Sequence, residues 1–267
     1  MTRLRKTLGM VFGASISLFL GAIVALAEDI AELDAIAAQL LPEKVATAVA
    51  AIPEGPRKLL AMRSYLRFSG KLEERWSWTE EEIAAFKGTE AQQALQSEID
   101  AISADFAERN RGYGIYVHSR VRSLDTQIDH WNGNDSVGVS GAETYDAWLK
   151  SGTASTSPTD PEALARFETW LKGFTPANRA HLAAPGLSRH GRAQAIDFQI
   201  TKDGETVAGT DYDAIETEWQ QGGWEEKLKA SVTAAGPSFS GPLTSINEPW
   251  HYDYAPQPGM VGATASQ

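Results

Sequence analysis

The sequence predicts an α+β fold, with a small antiparallel sheet flanked by helices and preceded by a helical N-terminal region. Three observations predict it. Residues 28–111 carry apolar positions at helical spacing, beginning with Ile30, Leu33, Ile36, Leu40 and Leu41. From Ala195 to Ile200 the period changes to two, with Ala195, Asp197 and Gln199 on one face and Ile196, Phe198 and Ile200 on the other. Helical and extended patterns are then mixed without the regular βαβ alternation of a parallel sheet.

The chain opens with Arg3, Arg5 and Lys6, an uncharged run from Leu8, and Ala25, Leu26 and Ala27 before Glu28. Over residues 1–27 this is the layout of a secretory signal. An uncleaved anchor competes, because the run is about long enough to span a bilayer. Ser15, Ser17 and the glycines weaken that reading, and the Ala-x-Ala site followed by acids favours cleavage before Glu28. The expected protein is exported to the periplasm or cell envelope, with no stable membrane anchor once the signal is removed.

In residues 28–111, Pro53, Gly55 and Pro56 interrupt the helical period and Arg57 to Phe68 resumes it. Thr79 with Glu82, and Thr89 with Gln92, are spaced as capping boxes. The second opens a helix with Leu95, Ile99, Ile102 and Phe106 along one side. This region carries no recognisable chemistry and reads as a helical subdomain. Tyr113 to Val117 is a short strand. Asn132 to Gly141 and Ser151 to Asp160 have loop compositions on either side of a short helix around Tyr145 and Trp148. Two helices are expected over Pro161 to Lys172, with Leu164, Phe167 and Leu171 inward, and over Glu216 to Ala230. Thr201 to Glu205 reads as a tight turn between strands. The tail over residues 257–267 is small and polar, a disordered composition.

The length allows one large domain or two small ones. Formal net charge is -11, and the only charges in residues 1–27 are basic, so the remainder is more acidic still. That excludes nucleic acid as a partner held by bulk charge. There is no cysteine, so every metal ligand must be His, Asp or Glu.

Chemistry gathers in two stretches, Ser188 to Asp197 (SRHGRAQAID) and Asn247 to Tyr254 (NEPWHYDY). They supply His190, Asp197 and His251 as candidate metal ligands and Glu248 as a candidate base. Two imidazoles and one carboxylate suit Zn²⁺, and three protein ligands leave a fourth position for water, whose pKa zinc lowers towards neutrality. A nearby carboxylate can take that proton and pass it to a leaving amine, which is the kit for hydrolysing an amide. His190 and Asp197 are an odd number of residues apart, so a straight strand would point them to opposite sides. Gly191 is where the chain can turn. Glu248 precedes Pro249 and so favours an extended backbone. No His-Glu-x-x-His, Gly-x-Ser-x-Gly or Ser-x-x-Lys motif occurs.

These stretches resemble the LAS zinc peptidases, the D-alanyl-D-alanine carboxypeptidase and dipeptidase group (peptidase family M15) that shares its fold with the Hedgehog signalling domain. The family signature is Ser-x-His-x-x-Gly-x-Ala-x-Asp, followed by Glu-Pro-Trp-His. Ser188, His190, Ala195 and Asp197 match, as do Glu248, Pro249, Trp250 and His251. One position departs, because the second glycine of the family is Ala193 and a glycine stands at 191 instead. Val117 to Ser123 looks like the family's Ser-Gly-Tyr-Arg-Ser block, which places Arg122 on the substrate arginine that stabilises the oxyanion. Arg120, two residues away on the same strand face, is the alternative.

The resemblance covers Tyr113 to Tyr254, so it implies a zinc peptidase domain over residues 112–256 whose sheet carries the zinc site. It also implies Ser188 and Gln127 as substrate contacts. Trp250 and Tyr254 are read as packing residues, and His118, His130 and His181 as structural or surface residues. The implied activity is removal of a terminal D-alanine from peptidoglycan stem peptides. The alternatives are a zinc endopeptidase that cuts cross-links between stems, and a catalytically silent, zinc-stabilised binding module like the Hedgehog domain.

Overall fold

The computed structural model describes residues 30–118, 121–154 and 156–256. Residues 1–27, where a signal segment is expected, Arg120 and the tail over 257–267 lie outside the described residues. In order, the elements are α1 (residues 30–40), α2 (Glu43–Ala50), α3 (Gly55–Arg67), α4 (Leu72–Arg75), α5 (Glu80–Phe86), α6 (Glu90–Arg109) and β1 (Tyr113–Val117). There follow α7 (Leu124–Gly133), α8 (Asp135–Lys150), α9 (Pro161–Gly173), β2 (Ala195–Lys202), β3 (Glu205–Ala208), α10 (Trp224–Ala235), β4 (Phe239–Ser240) and β5 (His251–Tyr254). The fold is α+β, with a helical N-terminal region and one small antiparallel sheet of five strands. Among the described residues no helix is long and apolar enough to cross a membrane.

The chain divides into two compact units, each built from two separated segments. Among the described residues, the first takes 30–70 together with Ile128–Ala184, and the second takes Lys71–Gln127 together with 185–256.

The first unit is helical. Its α8 corrects the loop expected at Asn132 to Gly141, because those residues close α7 and open a helix of 16 residues. Asn134 starts α8 as its N-cap, its side chain accepting from the Val137 amide at 3.1 Å. The glycines that suggested a loop are sites of close packing. A Cβ on Gly138 would stand 2.8 Å from the Arg57 guanidinium, and one on Gly141 would stand 2.9 Å from the Pro56 carbonyl oxygen. Arg57, buried in α3, donates to the carbonyl of Trp131 in the last turn of α7 at 2.7 Å and to that of Asn134, the N-cap of α8, at 2.8 Å. Tertiary packing therefore overrides a weak local helical preference.

The second unit holds the sheet. Strand order is β1-β2-β5-β4, with β3 also on β2, and every pairing is antiparallel. Asp203 and Gly204, both with positive φ, form the two-residue turn that sets Lys202 opposite Glu205. One sheet face is apolar: Ile196, Phe198, Ile200, Tyr252 and Tyr254 pack with Leu95, Ile99, Ile102 and Phe106 of α6 and with Leu228 and Val232 of α10. Thr79 and Glu82 make both bonds of a capping box at α5. At α6 Thr89 accepts from the Gln92 amide, while the Gln92 side chain accepts from Gly88 instead of Thr89.

The single helix expected over Glu216 to Ala230 is broken. A π-helical turn over Ile215–Gln220 stops before Gly222 and Gly223, and α10 starts at Trp224. Gly223 has a φ of 61°, and a Cβ on Gly222 would collide with the Trp224 indole, so both glycines are needed where they stand.

Candidate metal centre

Period-two alternation puts the polar residues of β2 and β5 on the face turned away from that core. The register sets Asp197 directly opposite His251 and Ala195 opposite Asp253. Two of the three expected ligands are thus a cross-strand pair. His190 arrives from the 3-10 turn Arg189–Arg192 just before β2.

That turn differs from the one expected at Gly191. The residue that reverses the chain is Ala193, with φ 53° and ψ 29°, in the left-handed region. This is the position where the LAS pattern has glycine. Gly191 is needed for space, because a Cβ there would collide with Ser77 Oγ and stand 2.7 Å from Gln127 Nε2. Two opposite outcomes follow. Ala193→Gly should stabilise the fold by about 1 kcal/mol, since it relieves a left-handed Cβ at some cost in unfolded-state entropy. Gly191→Ala should destabilise it by about 1–3 kcal/mol through overpacking. Urea unfolding of the two variants checks both signs, and an Ala193→Gly protein weaker than wild type would contradict the strain at Ala193.

Three donor atoms converge. His190 Nε2 is 3.2 Å from His251 Nδ1 and 3.3 Å from Asp197 Oδ1, and His251 Nδ1 is 3.1 Å from the same oxygen. Ligands about 2.0–2.1 Å from one tetrahedral ion lie about 3.3 Å apart, so the spacing fits a shared cation. His190 and Asp197 are buried and His251 nearly so. This group can hold a metal ion. His118 and His130 are exposed, His181 is half-buried, and none of them joins it.

The second oxygen of Asp197 accepts from Arg122 Nη2. Arg122 therefore reaches the site, and its hold on Oδ2 leaves Oδ1 to face the imidazoles. Its backbone amide donates to the His190 carbonyl at 3.1 Å, tying the arginine segment to the ligand turn. Glu248 follows Asn247, whose φ is 54°, and its amide donates to the Leu243 carbonyl at 2.8 Å. This places Glu248 Oε2 3.8 Å from His251 Nδ1, beside the triad, within ion-pair range of that imidazole and beyond hydrogen-bond length.

Gln127, expected against substrate, faces inward. Its amide donates to Ser77 Oγ at 2.9 Å and to the Arg122 carbonyl at 2.8 Å, and its oxygen accepts from the Gly186 amide at 3.0 Å. It clamps the arginine segment from behind. Ser188 is half-buried at the start of the 3-10 turn, and its side chain makes no capping bond there.

Two features escaped the sequence reading. The segment Ser77–Trp78 runs beside the ligand loop, with Ser77 N donating to Gly186 O at 2.8 Å and Trp78 N to Gly191 O at 2.9 Å. No local motif signals such a pairing. Asp253 lies two residues after His251 on the same strand face, with Oδ1 3.5 Å from His251 Nε2. Period two on β5 would have found it.

The electrostatics suit a cation. Burial raises the Asp197 carboxyl, but hydrogen bonds from His190 and His251 and the charge of Arg122 outweigh it and hold the group well below the usual range. Burial likewise pushes His190 down, and the bond to Asp197 does not fully offset it. For His251, burial lowers the value while the Asp197 and Asp253 carboxylates raise it more, to about 9.

Comparison with known proteins finds no match among family models, curated proteins or solved structures. The site is therefore read from its own geometry.

One solution property follows from His251. At pH 7 its imidazole carries a proton that a cation must displace, so metal uptake should release about one proton per ion. Apparent affinity should rise about tenfold per pH unit up to the His251 value. Calorimetric titration with Zn²⁺ in two buffers of different ionisation heat measures the release, and a value near zero would contradict His251 as a ligand.

Proposed function

We propose that this chain is an exported zinc-dependent peptidase that removes a terminal D-alanine from the peptide stems of peptidoglycan. The observation that carries the reading is the convergence of His190 Nε2, His251 Nδ1 and Asp197 Oδ1 within 3.1–3.3 Å, with Glu248 beside them and Arg122 on Asp197. Two nitrogens and one oxygen at tetrahedral spacing favour Zn²⁺ over Ca²⁺ or Mg²⁺, which take mainly oxygen ligands. The substrate class rests on the resemblance of Ser188–Asp197 and Glu248–His251 to the LAS peptidases, and export rests on the pattern of residues 1–27.

His190, Asp197 and His251 would hold the zinc, which when bound supplies Lewis acidity towards the scissile carbonyl and the attacking water. Glu248 takes the proton of that water and delivers it to the leaving amine. Arg122, whose side chain is 30 % exposed, has guanidinium donors beyond the one on Asp197 to offer the oxygen that gains charge at the carbonyl. Its contact with Asp197 Oδ2 also holds that carboxylate with Oδ1 towards the imidazoles.

The test is incubation of zinc-loaded protein with defined monomeric and cross-linked muropeptides, read by mass spectrometry. Loss of one alanine from the monomer is the expected result. Release of monomers from cross-linked material would move the assignment to an endopeptidase. No change in either substrate would overturn the peptidase reading and leave a binding module.

A further inference from the structure

Asp253 belongs to none of the motif positions, yet it faces the far side of the His251 ring. The Nδ1 of that ring points at Asp197 Oδ1 and His190 Nε2, at 3.1 and 3.2 Å. Its Nε2 points instead at Asp253 Oδ1, 3.5 Å away. A neutral imidazole has one lone-pair nitrogen and one N–H, and the partner of the N–H decides which is which. The Asp253 oxygen is shielded from water and no donor is aligned on it. Arg189 Nε lies 3.0 Å from it, close enough to offset its charge but without hydrogen-bond alignment. A buried carboxylate oxygen without a donor calls for one, and Nε2–H would supply it after a shift of about 0.5 Å.

We infer that Asp253, backed by Arg189, is a positioning residue that keeps the His251 proton on Nε2 and so presents Nδ1 to the metal. This rests on the reading of the triad as a metal centre. The strand makes the placement robust, because His251 and Asp253 share one face of β5, opposite Asp197 and Ala195 on β2. Asp253 is not itself a fourth ligand, since it approaches the nitrogen that turns away from the other donors. Carboxylates behind ligating histidines typically raise metal affinity about 10- to 100-fold.

The experiment measures zinc affinity of the full chain by competition with a chromophoric chelator, together with long-range ¹H–¹⁵N spectra of the His251 ring. Asp253→Ala should bind zinc about 10- to 100-fold more weakly and, when zinc-loaded, show a mixture of Nδ1- and Nε2-bound His251 rings. Asp253→Asn keeps an acceptor oxygen and should recover most of the affinity. Arg189→Met should lose much less than Asp253→Ala. Unchanged affinity and tautomer in Asp253→Ala would overturn the inference, and so would an equal loss in Arg189→Met, which would make Asp253 a mere anchor for the arginine. Should Asp253→Ala fail to fold, the zinc-loaded wild-type spectrum decides: a proton on Nε2 supports the inference and a metal on Nε2 overturns it. Wild-type protein that takes up no zinc overturns this inference and the proposed function together. Equal zinc binding by wild type and Asp253→Ala overturns this inference alone.

Discussion

Glu248→Gln should retain its fold and about one zinc per chain while hydrolysis of a D-alanine-terminated stem peptide falls about 10²- to 10⁴-fold. Glutamine keeps the size of the side chain and one acceptor oxygen but cannot accept the proton. The loss should appear in kcat with little change in KM, because the proton moves only as the transition state forms. The 3.8 Å between Glu248 Oε2 and His251 Nδ1 keeps the carboxylate outside the ligand triangle, whose edges are 3.1–3.3 Å. Zinc analysis beside steady-state kinetics separates the outcomes. A variant that loses zinc would make Glu248 a ligand, and one that keeps near-wild-type kcat would remove it from the chemistry.

Substituting any one corner of the triangle should have the larger effect. His190→Ala, Asp197→Ala and His251→Ala should each lower zinc from about one per chain towards zero and abolish hydrolysis, because two protein ligands make a poor structural or catalytic zinc site. Asp197→Asn sharpens the test. It keeps the shape opposite His251 but gives up the charge that faces both imidazoles and Arg122. Circular dichroism confirms that each variant is folded, and metal analysis by mass spectrometry gives the stoichiometry. Full zinc retention in any variant would take that residue off the ligand list.

What could be read in the sequence was what local rules govern. The alternation from Ala195 to Ile200 gave the face of β2 that bears Asp197, and the stripe of Leu95, Ile99, Ile102 and Phe106 gave the face of α6 that meets the sheet. Thr79 and the Asp203–Gly204 turn acted through their own neighbours and appeared as expected, and Thr89 made one of the two bonds of its expected capping box. What could not be read depended on residues far away in the chain. Gly138 and Gly141 look like loop residues until α3 is packed against them. Gly191 looks like a hinge until Ser77 is placed beside it, and only then does the left-handed strain shift to Ala193. Gln127 carries three hydrogen bonds to segments that its own neighbourhood does not announce. The candidate ligands were legible because a metal site needs a particular donor set, whereas the shell behind them is built by tertiary contacts.

The central claim is that His190, Asp197 and His251 form one zinc centre, and a crystal structure of zinc-loaded protein collected at the zinc absorption edge tests it most directly. A single anomalous peak is expected about 2.0–2.1 Å from His190 Nε2, His251 Nδ1 and Asp197 Oδ1, with Glu248 next to it and unbonded. A peak bound through His251 Nε2, or zinc located away from these three residues, would contradict it.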